Sequence, residues 1–149
     1  MSRIRGALAV AAVALFAFAS PARAGDVSLR AGAYSDLDAP FLGIEYRTPV
    51  QGRLYVAPNF ELVLPSEGSY YGFSVDLHYL FRAQRRLQPW LGAGLGFYAR
   101  GHQGGGTSTS AGANFIGGLA LRARLNPYAQ VKVVVTGDTA FVASLGIRF

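Results

Sequence analysis

Ten ionisable side chains fall on alternate positions of short β-like segments, and they are where this 149-residue chain could do chemistry: Glu45, Arg47, Arg53, Glu61, Asp76, His78, Arg82, Arg122, Lys132 and Arg148. Asp76-x-His78 puts an acid and an imidazole on one face of a strand, an arrangement by which a hydrolase orients a base. The competing account is an ion-pair network filling a narrow interior. Both signs are present, and buried charge is costly unless it is paired or hydrated. The second histidine, His102, lies in "GHQGGGTSTS" with no acid or histidine close in sequence. Metal binding, which needs several converging ligands, is not expected there. Gly104, Gly105 and Gly106 do not form a phosphate loop, because neither a strand-to-helix transition nor a lysine follows them.

These residues need a scaffold, and from residue 25 onward the chain shows no helical period of useful length. Two-residue alternation recurs in eight segments instead, over 26–34, 40–48, 52–64, 71–82, 88–100, 110–122, 127–135 and 139–149. The intervening stretches carry turn residues or breaks in alternation. With antiparallel neighbours, 35–39, 65–70, 101–109 and 136–138 gather at one end of the sheet, and 49–51, 83–87 and 123–126 at the other. Only 101–109 has the glycine-rich, polar composition of a flexible loop.

One face of these segments is almost free of charge, as in Phe73, Val75, Leu77, Tyr79 and Phe81, or Leu91, Ala93, Leu95 and Phe97. The other mixes glycine with bulky or charged residues: Trp90, Gly92, Gly94, Gly96 and Tyr98, then Gly112, Asn114, Ile116, Gly118, Ala120 and Arg122. A water-exposed face would carry lysine, glutamate and threonine. Glycine beside large polar groups suits a narrow lumen. A turn centred near Arg85 sets His78 across from Gly92 and Asp76 across from Gly94; one near Leu125 sets Lys132 across from Gly118. Pro58 interrupts the third segment, at the cost of a ladder hydrogen bond or with a bulge.

The start of the chain indicates the compartment. Arg3 and Arg5 precede an apolar run over 7–19, then Ser20, Pro21 and the small-residue site Ala22-Arg23-Ala24, as in a cleaved secretory signal peptide spanning 1–24. The run is shorter than the roughly 20 residues of a membrane-spanning helix. Cleavage leaves one domain, 25–149. Losing Arg3, Arg5 and Arg23 from fourteen basic residues, against eight acids, lowers the formal charge from +6 to +3. The remaining arginines form no basic stripe, so nucleic acid is not an expected partner. Cysteine is absent, which leaves neither a disulfide staple nor thiolate chemistry.

Eight alternating strands of this length fit an all-β, eight-stranded antiparallel up-and-down transmembrane β-barrel. They also fit a soluble barrel with its apolar face inside. The glycine-and-charge face favours the membrane form, and aromatics such as Tyr46, Phe73, Phe97 and Phe141 near strand ends suit interface girdles. The last strand, "TAFVASLGIRF", alternates to its final residue, with Phe141, Leu145, Ile147 and Phe149 on one face.

In these features the mature chain resembles the small bacterial outer-membrane β-barrels of the OmpA, OmpX and OmpW kind. The resemblance implies a Gram-negative outer membrane, both termini in the periplasm, and recognition of Phe149, Ile147, Leu145 and Phe141 by the barrel assembly machinery. It implies lipids and lipopolysaccharide as surroundings and a monomer with no cofactor. The expected role is structural, in membrane integrity, or minor small-solute passage. Some relatives modify lipid A. The deacylases among them carry an outward His-x-Ser motif, whereas here His78 precedes Tyr79-Leu80 and His102 precedes Gln103-Gly104. A lipid A-modifying enzyme and a soluble periplasmic ligand-binding barrel are the alternatives.

Overall fold

The computed structural model describes residues 25–149, so the expected signal peptide lies outside the described residues. Period-two alternation leaves each segment one apolar face, and eight strands bury or expose such faces consistently only when the sheet closes. The strands are β1 (Asp26–Tyr34), β2 (Ala39–Gln51), β3 (Leu54–Val63), β4 (Ser69–Leu80), β5 (Leu87–Gly101), β6 (Thr107–Leu121), β7 (Tyr128–Val135) and β8 (Thr139–Arg148). Each pairs antiparallel with the next, and β8 returns to β1 to close the barrel. One end holds the connections after β1, β3, β5 and β7 and is the loop end. The other holds three short turns together with the beginning of β1 and the end of β8, and is the terminus end.

The apolar face points outward. Leu95 and Leu145 are 72% and 70% exposed, and Leu42, Leu91, Phe97, Phe115, Val131 and Phe141 are more than half exposed. An apolar exterior of this extent requires lipid around it. The lumen holds the polar residues, with Ser28, Glu45, Asp76, His78, Asn114 and Lys132 almost fully buried. That inversion is opposite to a soluble ligand-binding barrel.

Glycines make the narrow lumen possible. His78 pairs with Gly92, and Asp76 with Gly94, as the turn centred on Arg85 implies. A Cβ on Gly92 would approach the His78 ring to 2.7 Å, and one on Gly94 would run into the Asp76 carboxylate. Arg85 itself adopts φ +57° in the two-residue turn between Gln84 and Leu87. The β6–β7 register differs from expectation by two residues: Gly118 faces Gln130, and Lys132 faces Ile116. The turn is centred one residue earlier than Leu125 and is closed by the Leu121 amide donating to the Pro127 carbonyl at 2.8 Å. Gly118 lies beside Trp90 instead, which is its partner across β5, and a Cβ there would overlap the indole.

Two further details differ from the alternation. Thr107, Ser108 and Thr109 continue β6 by pairing with Gly101, Arg100 and Ala99, so the expected loop over 101–109 shrinks to 102–106. The turn is left to Gly104, Gly105 and Gly106, all with positive φ, a conformation open to glycine at little steric cost. Pro58 stays within β3 and pairs with Val75 of β4. On its other side the β2–β3 ladder is interrupted between the Glu45–Asn59 and Thr48–Val56 pairs, and the register shift lies elsewhere, between Pro49 and Gln51. Proline has no N–H to donate, so the interruption falls on its β2 side.

Adjacent glycines on opposite faces of β6 supply a matched test. Gly118→Val should destabilise the folded barrel by roughly 2–3 kcal/mol or prevent folding, because the methyls must displace Trp90. Gly117→Ala meets only Leu91 at 3.5 Å on the outer face and should change little. Urea midpoints of the two refolded variants check this, and equal midpoints would contradict the packing described.

Candidate functional site

The polar lumen is built from one to three buried polar residues on each strand except β5, which contributes the Tyr98 hydroxyl. At its centre Arg30, from the middle of β1, is 3% exposed and its stem lies over Gly43 of β2 toward β3. Its Nη1 donates to Glu45 Oε2 at 2.8 Å, and its Nη2 donates to Glu61 Oε1 at 2.6 Å and to Asn59 Oδ1 at 2.7 Å. Lys132 Nζ, from β7, donates to the same Glu61 oxygen at 2.6 Å. The Tyr34 hydroxyl donates to the other oxygen of Glu61. Arg148 reaches Glu45 at 3.4 Å and Ser28 at 3.2 Å. The result is an alternating chain, Arg148–Glu45–Arg30–Glu61–Lys132, in which each carboxylate lies between two cations.

Asp76 is held differently. Its carboxylate accepts from Asn59 Nδ2 at 2.7 Å and from Asn114 Nδ2 at 3.1 Å, while the Tyr98 hydroxyl donates to Asn114 Oδ1 at 2.5 Å. His78 does not hydrogen-bond to Asp76: neither ring nitrogen has a protein partner, and the ring lies 6.4 Å from that of Trp90. Asp76-x-His78 therefore lacks the bond by which an acid orients a base. His102 is exposed beyond β5. No group of three or more His, Asp or Glu placed to hold a metal occurs among the described residues.

Apolar and aromatic layers lie above and below this charged middle. Toward the loop end Tyr34, Phe41, Val63, Tyr70, Tyr98, Val134 and Val142 form one cluster, with Tyr70 and Tyr98 stacked at 6.1 Å. Toward the terminus end Leu80, Trp90, Ala120 and Tyr128 form a second, with Tyr55 packed against it. Arg148 lies 4.6 Å from the Tyr128 ring centre and 5.3 Å from that of Trp90, and Arg47 lies 4.9 Å from that of Tyr55. These aromatic faces attract the guanidinium groups where carboxylates are few. Arg47 also pairs with Asp26 at 2.8 Å.

Of the lumen residues expected from alternation, Glu45, Arg47, Glu61, Asp76, His78, Lys132 and Arg148 are inside. Arg53, Arg82 and Arg122 are not. Arg53 sits in the β2–β3 turn, while Arg82 and Arg122 lie just past the last residues of β4 and β6, all three exposed. The wall has ended at these positions, so nothing directs the side chains inward. Arg30 and Asn59, both central, were missed. The alternation Ser28, Arg30, Gly32, Tyr34 along β1 carried the signal for Arg30. Phe141, Leu145, Ile147 and Phe149 lie along the outer face, from β8 to the last residue.

No protein-family model and no curated protein matches the sequence. Solved structures do match. The N-terminal β-barrel domain of Pseudomonas aeruginosa OprF superposes with a TM-score of 0.72 and 17% identity, over 84% of this chain and 96% of that one. The chain has the fold of the eight-stranded outer-membrane barrels. Neisserial surface protein A is similar at a TM-score of 0.59 and 20% identity, covering 83% of this chain and 92% of its own. The outer-membrane enzyme PagL matches at 0.54 and 19%, covering 83% and 98%. The likeness at these identities is one of fold, and the barrel's particular lumen has to be judged on its own side chains.

The chain of pairs makes a quantitative demand. Glu61→Gln leaves Arg30 and Lys132 facing each other without the carboxylate between them and should cost about 3–5 kcal/mol. The Glu61→Gln/Lys132→Met double variant removes one of the two stranded cations and should cost less than the sum of the single changes. Denaturant unfolding of the four proteins in the cycle reads the coupling, and additive costs would mean the pair contributes nothing.

Proposed function

We propose that this protein is a monomeric outer-membrane barrel with a sealed lumen, serving membrane integrity more than transport. The observation that carries this reading is the stacking of a charge-paired middle between two apolar, aromatic-rich layers, Tyr34, Phe41, Tyr70 and Tyr98 at one end and Trp90 and Tyr128 with Leu80 at the other. Eight strands leave a lumen that side chains can fill. Here the filling is held by bonds that an ion or solute would have to break in order to pass. Likeness to barrels of bacterial outer membranes supports that membrane as the location, and in this reading the terminus end faces the periplasm.

Lipid and lipopolysaccharide are the surroundings this exterior suits. The outward row Phe141, Leu145, Ile147 and Phe149 serves in this reading as the signal to the barrel assembly machinery. PagL supports an enzymatic alternative by fold alone, since the Asp76 carboxylate is engaged by two asparagines and His78 has no acid to orient it.

Outer-membrane fractionation combined with heat-modifiable gel mobility is the direct test, and recovery in the soluble periplasm would refute the proposal. In planar bilayers the refolded protein should give no sustained single-channel conductance, whereas steady openings would refute the seal. Incubation with lipopolysaccharide should leave its acyl chains unchanged by mass, and a lost or gained chain would favour the enzyme.

Phe149→Asp separates assembly from stability. It should lower the outer-membrane yield in cells severalfold while leaving refolding into detergent almost intact. Equal yields would remove the signalling role.

A further inference from the structure

The two rims of the barrel carry opposite charge. At the terminus end Arg53, Arg82, Arg85, Arg86, Arg122 and Arg124 are all exposed, and among the described residues none of them forms an ion pair. Asp26, at the same end, is already paired with Arg47. The loop end instead exposes Asp36, Asp38, Glu67 and Asp138, against Arg100 and His102.

The arginines are contiguous. The Leu80 amide donates to the Arg53 carbonyl at 3.0 Å and the Arg122 amide to the Arg86 carbonyl at 2.6 Å, which ties three neighbouring turns into one arc. Arg53, Arg82 and Arg122 line a common depression with Tyr55, Phe81 and Gln88, and no carboxylate is part of it. Just outside the arc, Phe81, Leu87, Leu121 and Leu125 are 41–52% exposed on the outer surface. The guanidinium groups therefore sit where the apolar band ends, at the level of lipid headgroups.

We infer that this arc is a binding surface for the phosphodiester headgroups of anionic phospholipids in the inner leaflet, with Arg53, Arg82 and Arg122 as its centre. Guanidinium forks match phosphate oxygens in pairs. The adjoining apolar residues accept the acyl chains of the same molecule, which a soluble phosphate does not have. That continuity of charge and apolar surface favours a lipid over a free anion. The proposal rests on the terminus end facing the periplasm in an outer-membrane barrel.

The test is lipid retention by native mass spectrometry after refolding into nanodiscs of phosphatidylcholine containing a minor fraction of phosphatidylglycerol. Wild type should retain phosphatidylglycerol in preference to phosphatidylcholine. The Arg53→Gln/Arg82→Gln/Arg122→Gln variant should lose that preference, by roughly fivefold per arginine removed. Asp36→Asn/Asp138→Asn, at the other rim, should retain it. Heat-modifiable mobility of each protein reports folding separately, so a folded barrel without lipid preference overturns the inference while leaving the barrel reading intact. An unchanged preference in the triple variant also overturns it, as does loss of wild-type preference to millimolar inorganic phosphate at constant ionic strength, which would point to a free anion. Should the triple variant fail to fold, the wild-type preference must still fall as salt is raised, and a salt-independent preference would overturn the inference.

Discussion

Glu61 is the constraint around which the lumen is organised. Its carboxylate accepts from Arg30 and Tyr34 on β1, the next strand but one, and from Lys132 on β7 across the lumen. A carboxylate at 1% exposure is tolerable only with its lone pairs occupied. Satisfying them brings two cations together, and those cations need further acceptors. Arg30 finds Glu45 and Asn59, and Glu45 in turn takes Arg148. The polar interior can be followed from this one group through the bonds it obliges its neighbours to make.

Space is the second condition. Long side chains fit inside so narrow a barrel only where their partner on the adjacent strand has no side chain. Gly43 lies against the stem of Arg30, Gly92 against His78, Gly118 against Trp90 and Gly146 against Tyr128. Glycine is a poor strand former and contributes no packing of its own. Its frequency on the inward face is explained by the bulk it admits. Lipid outside and paired charge inside then become compatible, because the wall between them is only one backbone thick.

Much of this arrangement was legible in order. Alternation located all eight strands, and symmetry about Arg85 set His78 and Asp76 against their glycines. Legibility failed where alternation ends. Arg53, Arg82 and Arg122 have the same parity as lumen residues, but parity has no meaning once the ladder stops. The β6–β7 register slipped because a turn containing Asn126 at positive φ and Pro127 does not announce its centre, and a one-residue error there moves every cross-strand pair by two. Arg30 was readable from β1, where it shares the inward face with Ser28 and Tyr34.

Local sequence by itself determined the strand number, the side of the wall on which each residue within a strand lies, and the turn positions that demand glycine, since these follow from a period of two and from backbone sterics. Tertiary structure decided which charges meet. Arg30 and Glu61 are 31 residues apart and Lys132 and Glu61 are 71 apart. Arg30 and Glu61 meet over Gly43, which pairs with both in the β1–β2–β3 register, whereas Lys132 on β7 reaches Glu61 on β3 only because the sheet closes into a barrel. It also decided that three arginines of lumen parity stand at a rim, because where a strand stops depends on the partner beside it.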